Sequence, residues 1–388
     1  MKVKHVLMIA AVLLAMLIMP AAADEAYVVA TAPAKYTITI PTSVIDVSGG
    51  SATGEAKITV TTPAPGSTIA LSVVSSNGFN LVHTYASENK LSYTMTAGNT
   101  NVPVDGGVIL EANAASEGDA VVVLSFASTE EITVAGTYRD TLTFTADEIV
   151  AVNDGSELKA AAASGSVKLE GYVEATATFT APISDYKTGV KLAQGATLDG
   201  NGQTLSITPT DTEKTLAVLT SGGTIKDLTI TDGRRGIYMD QVKEDVVLED
   251  VTISGPGIGY TINTNSGFAP GVKLIATGCT FDGWTTYSQF ASATFTNCNF
   301  GMGQDYFLAE YPSNPEFNGC VRPYVDTVFE NCEFDSAFTI SLTGLGTSTI
   351  TFKACTVGGV PLTGTAGITW QCPGGKTVAD FAGQLNFE

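Results

Sequence analysis

Between Gly301 and Asp326 the sequence reads GMGQDYFLAEYPSNPEFNGCVRPYVD. Asp305, Tyr306, Glu310, Tyr311, Arg322 and Tyr324 stand out, with Glu316 and Asp326 beside them. Tyrosine rings stack on the C–H faces of a sugar, and carboxylates and a guanidinium fork take paired hydroxyls or a carboxylate. The segment therefore has the residue types of a saccharide-binding loop. One stretch earlier, GWTTYSQF supplies Trp284, Tyr287 and Phe290, which would extend an aromatic strip. TDGRRGIYMD adds Arg234, Arg235 and Asp240, whose plain reading is a solvated turn.

None of these residues forms a catalytic constellation by spacing, so the catalytic set is unknown. Only His5 and His83 occur in the chain, which leaves little for a Ser-His-Asp triad or a histidine-rich zinc site. No metal is expected, and no cofactor. His83, alone in NLVHTYA, reads as a turn or surface residue.

A second chemical pattern lies in FTNCNFG and FENCEFD. Cys279, Cys298, Cys332 and Cys355 fall in one frame, an apolar residue followed three positions later by the cysteine and two later by another apolar residue. Earlier coils carry the same frame as Ile225-Leu228-Ile230 and Leu248-Val251-Ile253. Thiols at the place of Leu228 and Val251 should point inward and behave as small hydrophobes. A disulfide needs converging Cβ vectors, and in-register parallel strands aim them alongside each other, so no bridge is expected among the four. Cys320 and Cys372 fall outside the frame and remain the pair free to bridge. Asp227, Asp250, Asn297 and Asn331 precede the frame's central residue and mark a turn where stacked polar side chains would hydrogen-bond.

The elements that must carry these residues have two periods. From Tyr27 to about Glu148, runs such as KYTITIP, EAKITVTT, TIALSVVSS and AVVVLSFAS alternate polar and apolar residues between Gly, Asn and Pro clusters. In KYTITIP, Tyr36, Ile38 and Ile40 share one face. Seven or eight such strands predict an antiparallel β-sandwich over residues 24–150. After Val150, DGSELKAAAASGS predicts a short helix with Asp154 or Ser156 as its N-cap. The frame then recurs through the remaining region, 151–388, at the spacing of coils of a parallel β-helix. The longest interval between frames holds the Gly301–Asp326 segment, which is therefore an insertion on one coil.

Two resemblances follow from these stretches. AGTYRDTLTFTA is similar to the last strand of immunoglobulin-like or pilin-like modules of bacterial surface proteins. ELKAAAASGSVKLEGYV, GATLDGNGQTLSI, IKDLTITDG and VLEDVTISG together resemble the capping helix and early coils of right-handed parallel β-helix proteins of the pectate-lyase-like superfamily. The resemblance implies an all-β chain, a sandwich followed by a right-handed parallel β-helix with a short capping helix. It also implies either a non-enzymatic, adhesin-like branch or a polysaccharide lyase or glycoside hydrolase, calcium entering only for a lyase. The arginine-proline-arginine signature of the lyases is incomplete at CVRPYVD, and the paired-aspartate and glycine-histidine-glycine signatures of polygalacturonases are absent. No catalytic residue carries over, and the expectation leans away from an enzyme.

Residues 1–23 combine Lys2 and Lys4, an apolar run from Val6 to Met19, and Ala21-Ala22-Ala23, the pattern of a secretory signal peptide. No later run reaches spanning length, so no membrane span is expected in the mature chain. A formal charge of −20 repels nucleic acid. The expected protein is secreted or held at the cell surface, and its partners are glycans or other envelope components. A purely structural envelope role is the third class left open.

Overall fold

Alternating side chains put one face of each early strand into an apolar layer, and two such layers close on each other. The computed structural model describes residues 35–40, 51–62, 66–104, 106–114, 117–128, 133–183, 186–208, 215–255, 257–301 and 320–388. The signal-peptide segment lies outside them. Residues Ala34–Glu388 form one compact unit.

One sheet of the sandwich orders Lys35–Thr39, Ser51–Thr62, Gly118–Ala127, Thr94–Ala97 and Thr100–Asn101. Facing it are Gly107–Asn113, Ser67–Ser75 and Leu142–Val152, paired antiparallel. Ala56, Ile58 and Val60 from the first layer meet Ile69, Leu71 and Val73 from the second, and Leu124 and Phe126 complete this core. Tyr36 and Ile38 pack against it as the alternation predicts. Ile40 does not: it lies past the strand end and is 45% exposed.

His83 is also not a surface residue. It is buried at the end of Asn80–His83. Its Nδ1 accepts from the backbone N–H of Tyr85 (3.2 Å) and Ala86 (3.0 Å), while Nε2 faces the Ala135 carbonyl at 3.3 Å. Asp140 ties the same end together. Its carboxylate accepts from Ser75 Oγ (2.6 Å), Ser76 Oγ (3.0 Å), Asn77 Nδ2 (3.1 Å), Tyr93 OH (2.7 Å) and Thr141 N (2.7 Å). Burial pushes this carboxyl up, but the hydrogen bonds outweigh it and hold the group below the usual range.

Leu142–Val152 belongs to both regions. Its residues Leu142 to Val150 pair antiparallel with Ser67–Ser75, and Ile149 to Val152 pair parallel with Ser166–Leu169, the first strand of the coils. The helix Gly155–Ala162 follows at once, capped by Asp154, whose carboxylate accepts from the N–H of Ser156 and Glu157. Leu158 and Ala162 enter the coil core, so the helix covers one end of the tube.

The rest is a parallel β-helix with three faces. The first runs from Ser166–Leu169 through Val246–Glu249, Lys273–Thr277 and Thr327–Glu330 to Leu385–Phe387. The second includes Val173–Thr176, Thr252–Ile253, Thr280–Asp282, Asn299–Gly301 and Glu333–Phe334. The third stacks Lys187–Lys191, Thr215–Thr220, Arg235–Met239, Tyr260–Thr264, Trp284–Tyr287, Cys320–Pro323, Thr339–Ser341 and Thr369–Gln371. Every predicted frame lands inward and in register. Leu198, Ile225, Leu248, Ala276, Phe295, Phe329, Phe352 and Phe387 form one column. Stacked phenylalanines fill its later part: Phe295 to Phe329, Phe329 to Phe352 and Phe352 to Phe387 have ring centroids 5.3, 5.4 and 5.3 Å apart. Burying each such ring contributes about 1.5–3 kcal/mol, and each stacked pair roughly 0.5–1.5 kcal/mol more.

The corner between the first and second faces needs a backbone that turns within one residue. Asn201, Asp227, Asp250, Asn297 and Asn331 adopt φ of 53°, 49°, 52°, 55° and 53° there, the left-handed region that Asn and Asp tolerate best. Ala354 takes the same conformation with φ 48°. The expected ladder of side-chain bonds is replaced by backbone ones: the N–H groups of Asp250, Asn297 and Asn331 donate to Thr277, Glu330 and Lys353 of the next coil. Just inside the turn, Leu228, Val251, Cys279, Cys298, Cys332 and Cys355 are buried in one stack. The four cysteines are free thiols. Contact with Cys279 and Cys332, and then burial, pushes the Cys298 thiol up; contact with Cys332 and burial do the same for Cys355. Cys320 stands opposite Thr339, itself opposite Thr369, so two strand spacings separate it from the strand that precedes Cys372. Roughly 10 Å of sheet already exceeds the Cα limit of about 7 Å for a disulfide.

Candidate functional site

The outer side of the third face carries an aromatic and cationic cluster. The inward residues of this face include small and β-branched ones, with Met239 and Tyr287 as the larger exceptions. Ala217, Thr261 and Thr285 are fully buried, Thr261 and Thr285 sharing a 2.7 Å hydroxyl contact. Positions outside the tube core stack coil upon coil: Leu216, Arg235, Tyr260 and Trp284 form one row. Tyr238 and Asn263 form the next.

Arg235 lies at the centre of this face, in a strand rather than in the solvated turn expected. Its guanidinium sits 4.5 Å from the Tyr260 ring, 5.0 Å from Tyr186 and 5.5 Å from Tyr238. Nη1 donates to Asn263 Oδ1, and Nε has no hydrogen-bond partner among the described residues. Tyr260 then stacks on Trp284 with centroids 4.6 Å apart and planes at 22°. Ala181, Tyr186, Leu216, Leu219 and Tyr238 form a separate small apolar cluster that supports the near end of the patch. Burial pushes the Tyr238 phenol up to about 12, with Asp240 and Tyr186 adding to the rise and the Arg235 cation opposing it. Arg234 and Asp240 are buried, and Asp240 accepts from Asn265 Nδ2 at 2.8 Å.

Of the sequence-derived loop residues, Arg322 and Tyr324 are described; Asp305, Tyr306, Glu310 and Tyr311, with Glu316, lie outside the described residues. Arg322 stands opposite Thr286, one coil beyond Trp284's strand, and its guanidinium is 5.1 Å from the Tyr324 ring. Its Nε likewise has no partner among the described residues. Tyr324 is a packed ring: a Cβ on Gly344 would fall 2.4 Å from it. Asp326 is spent on a turn, accepting from Thr349 N at 2.8 Å. The proposed strip of Trp284, Tyr287 and Phe290 does not form. Tyr287, on the opposite side of the strand from Trp284, is fully buried inside the tube, and Phe290, past the strand end, is buried against Phe268.

Tyr186, Tyr238, Tyr260 and Asn263 were not singled out in the sequence. Arg235, Tyr260 and Trp284 recur one coil apart, so carrying the inward frame onto the outward positions would have found them.

A second feature sits at the end of the second face, beside Gly301. Asp282 pairs opposite Gly301, and a Cβ there would meet Asp282 Oδ1 at 2.1 Å and Asp335 Oδ2 at 3.6 Å. The two carboxyl groups thus crowd one point. Burial, and then the Asp335 charge, raises the Asp282 carboxyl above its ordinary range.

Among the described residues, no three His, Cys, Asp or Glu side chains gather as a metal site. No described helix is long and apolar enough to cross a membrane. No protein-family model, no curated protein and no solved structure matches the chain.

Proposed function

We propose that this is a secreted or cell-surface protein that binds glycans or other envelope components without turning them over, on a β-helix of the pectate-lyase-like kind. The observation that carries the reading is Arg235, held on the faces of Tyr186, Tyr238 and Tyr260 beside the Tyr260–Trp284 stack. Arg235 and Tyr260 are the partly exposed members of a cluster whose other rings are buried. The outer N–H groups of the guanidinium and the Tyr260 ring therefore offer hydrogen bonds to hydroxyls or a carboxylate and C–H stacking in one place, while Nε itself is buried. Arg322, on the next strand of the same face, extends the patch, and the sandwich serves as a spacer. The signal-peptide pattern of residues 1–23 supports export, and N-terminal sequencing of the exported protein should then begin at Asp24.

The test is binding of the full chain to a panel of plant, microbial and host glycans, with Arg235→Ala and Trp284→Ala as variants. Each should weaken binding by about 1–3 kcal/mol, the scale of an interface anchor. Failure of every glycan to bind would move the protein to the structural envelope class.

The alternative, a glycoside hydrolase, draws support from the Asp282–Asp335 pair, since two neighbouring carboxyl groups, one of them raised, suit acid–base work. New reducing ends from any panel member, lost in Asp282→Asn, would select it.

A further inference from the structure

The thiol ladder has a geometry that its packing role does not use. Cys279, Cys298, Cys332 and Cys355 are in register on both sides, since the residues two before them and one after them pair coil to coil. The sulfurs of the last three lean the same way. Cys298 Sγ lies 3.6 Å from the Ala276 carbonyl, Cys332 Sγ 3.3 Å from that of Phe295, and Cys355 Sγ 3.3 Å from that of Phe329, each on the preceding coil. Equivalent orientations separate successive sulfurs by the strand spacing, roughly 4.8 Å. That is too far for an S–S bond, which also needs Cβ atoms within about 4.5 Å.

Two metal–thiolate bonds of roughly 2.3 Å each, placed end to end, span roughly 4.6 Å. An ion that takes two thiolates in a straight line therefore fits between adjacent rungs without moving either strand. The absence of a three-ligand cluster among the described residues argues against a tetrahedral ion such as zinc. Soft d10 ions prefer thiolate, and linear two-coordination is open to them. The apolar surroundings, Phe281, Phe295, Phe300, Phe329 and Phe334, favour a complex without net charge. A divalent ion with two thiolates meets that condition.

The geometry points to a binding site for soft, linearly coordinating metal ions, mercuric ion being the charge-matched member, between Cys279 and Cys298 and between Cys332 and Cys355. Binding breaks two S–H bonds per ion, forms two metal–sulfur bonds and releases two protons, with no change of oxidation state. Each thiol lies one residue inside a turn residue that solvent reaches, Gly278, Asn297, Asn331 or Ala354, so local opening at the corner admits the ion.

The experiment uses the reduced full chain carrying Cys320→Ser and Cys372→Ser, which removes the thiols outside the ladder. Titration with mercuric chloride, read by native mass spectrometry and ultraviolet thiolate-to-metal absorption, should give two ions per chain and raise Tm. Adding Cys279→Val and Cys355→Val leaves only the central pair and should give one ion. Replacing Cys298 and Cys332 by valine instead, the residue that Val251 places at this corner, separates the remaining thiols by three rungs and should give none. Two ions retained in that last variant, no ion in the parent, or zinc binding as tightly as mercuric ion would each overturn the assignment.

Discussion

The early and late coils of the β-helix build the same corner from different residues. Around Leu228 and Val251 the flanking core positions are Ile225, Ile230, Leu248 and Ile253; around Cys298 and Cys332 they are Phe295, Phe300, Phe329 and Phe334. The corner side chain shrinks where its neighbours grow. At native packing density, aliphatic bulk lost at the corner is matched by aromatic bulk on the faces in the Cys298 and Cys332 coils, whereas the Cys279 coil has Phe281 on one side and Ala276 on the other. The cysteines are thus explained first by space. Their sulfur chemistry is an addition to a position chosen for size.

The heaviest blow to the aromatic half is Phe329→Ala. It removes a ring stacked on two neighbours and should lower unfolding free energy by about 3–5 kcal/mol in denaturant titration. A sharper probe imports the late pattern into an early coil. Leu248→Phe should cost about 1–3 kcal/mol by overpacking, and adding Val251→Cys should recover part of that loss. Equal losses in the single and double variants would show that the two positions do not share volume. Cys298→Ala should cost about 1 kcal/mol, a small group deleted from a packed stack.

The smallest effects separate the sandwich from the β-helix by pH. Asp140 in the sandwich has its folded pKa lowered, so its contribution is present above the unfolded value of roughly 3.9 and is lost as pH falls below it. Asp140→Asn should flatten the acid limb of Tm against pH. Asp282 in the β-helix has a raised pKa, so its contribution is present below roughly pH 4 and is lost as pH rises through the folded value. Asp282→Asn should therefore raise Tm at pH 7 and leave it unchanged in acid.

Much of the fold was legible because each local signal had one physical reading. Period two marked the sandwich strands, Asp154 marked the helix start, and the recurring frame marked the inward columns of the first two faces and the corner between them, but not that of the third face. The candidate site was harder to read. Trp284, Tyr287 and Phe290 look alike in a sequence, and only the register separates the outward ring from the inward ones. Arg234 and Arg235 read as a charged turn, which fits the bend at Arg234 but not Arg235, the first residue of a strand, whose guanidinium is held by neighbours from other coils. Tyr186, Tyr260 and Asn263 supply those neighbours from positions distant in sequence. His83 does hold the turn after its strand, but it is buried and not at the surface, because Ala135 and Tyr138 reach it from a segment distant in sequence.

The strand Leu142–Val152 also bears on the order in which the molecule assembles. Its antiparallel edge needs only Ser67–Ser75, so its other edge stands ready before any coil exists. A parallel coil must close a long loop before its hydrogen bonds repay the lost entropy, unless a neighbouring edge already waits for it. The sandwich provides that template for Ser166–Leu169, and each finished coil provides it for the next. Growth is vectorial, from the shared strand toward Glu388. A lesion in the first rung should stop every later one, whereas a lesion in the last should leave the upstream rungs standing.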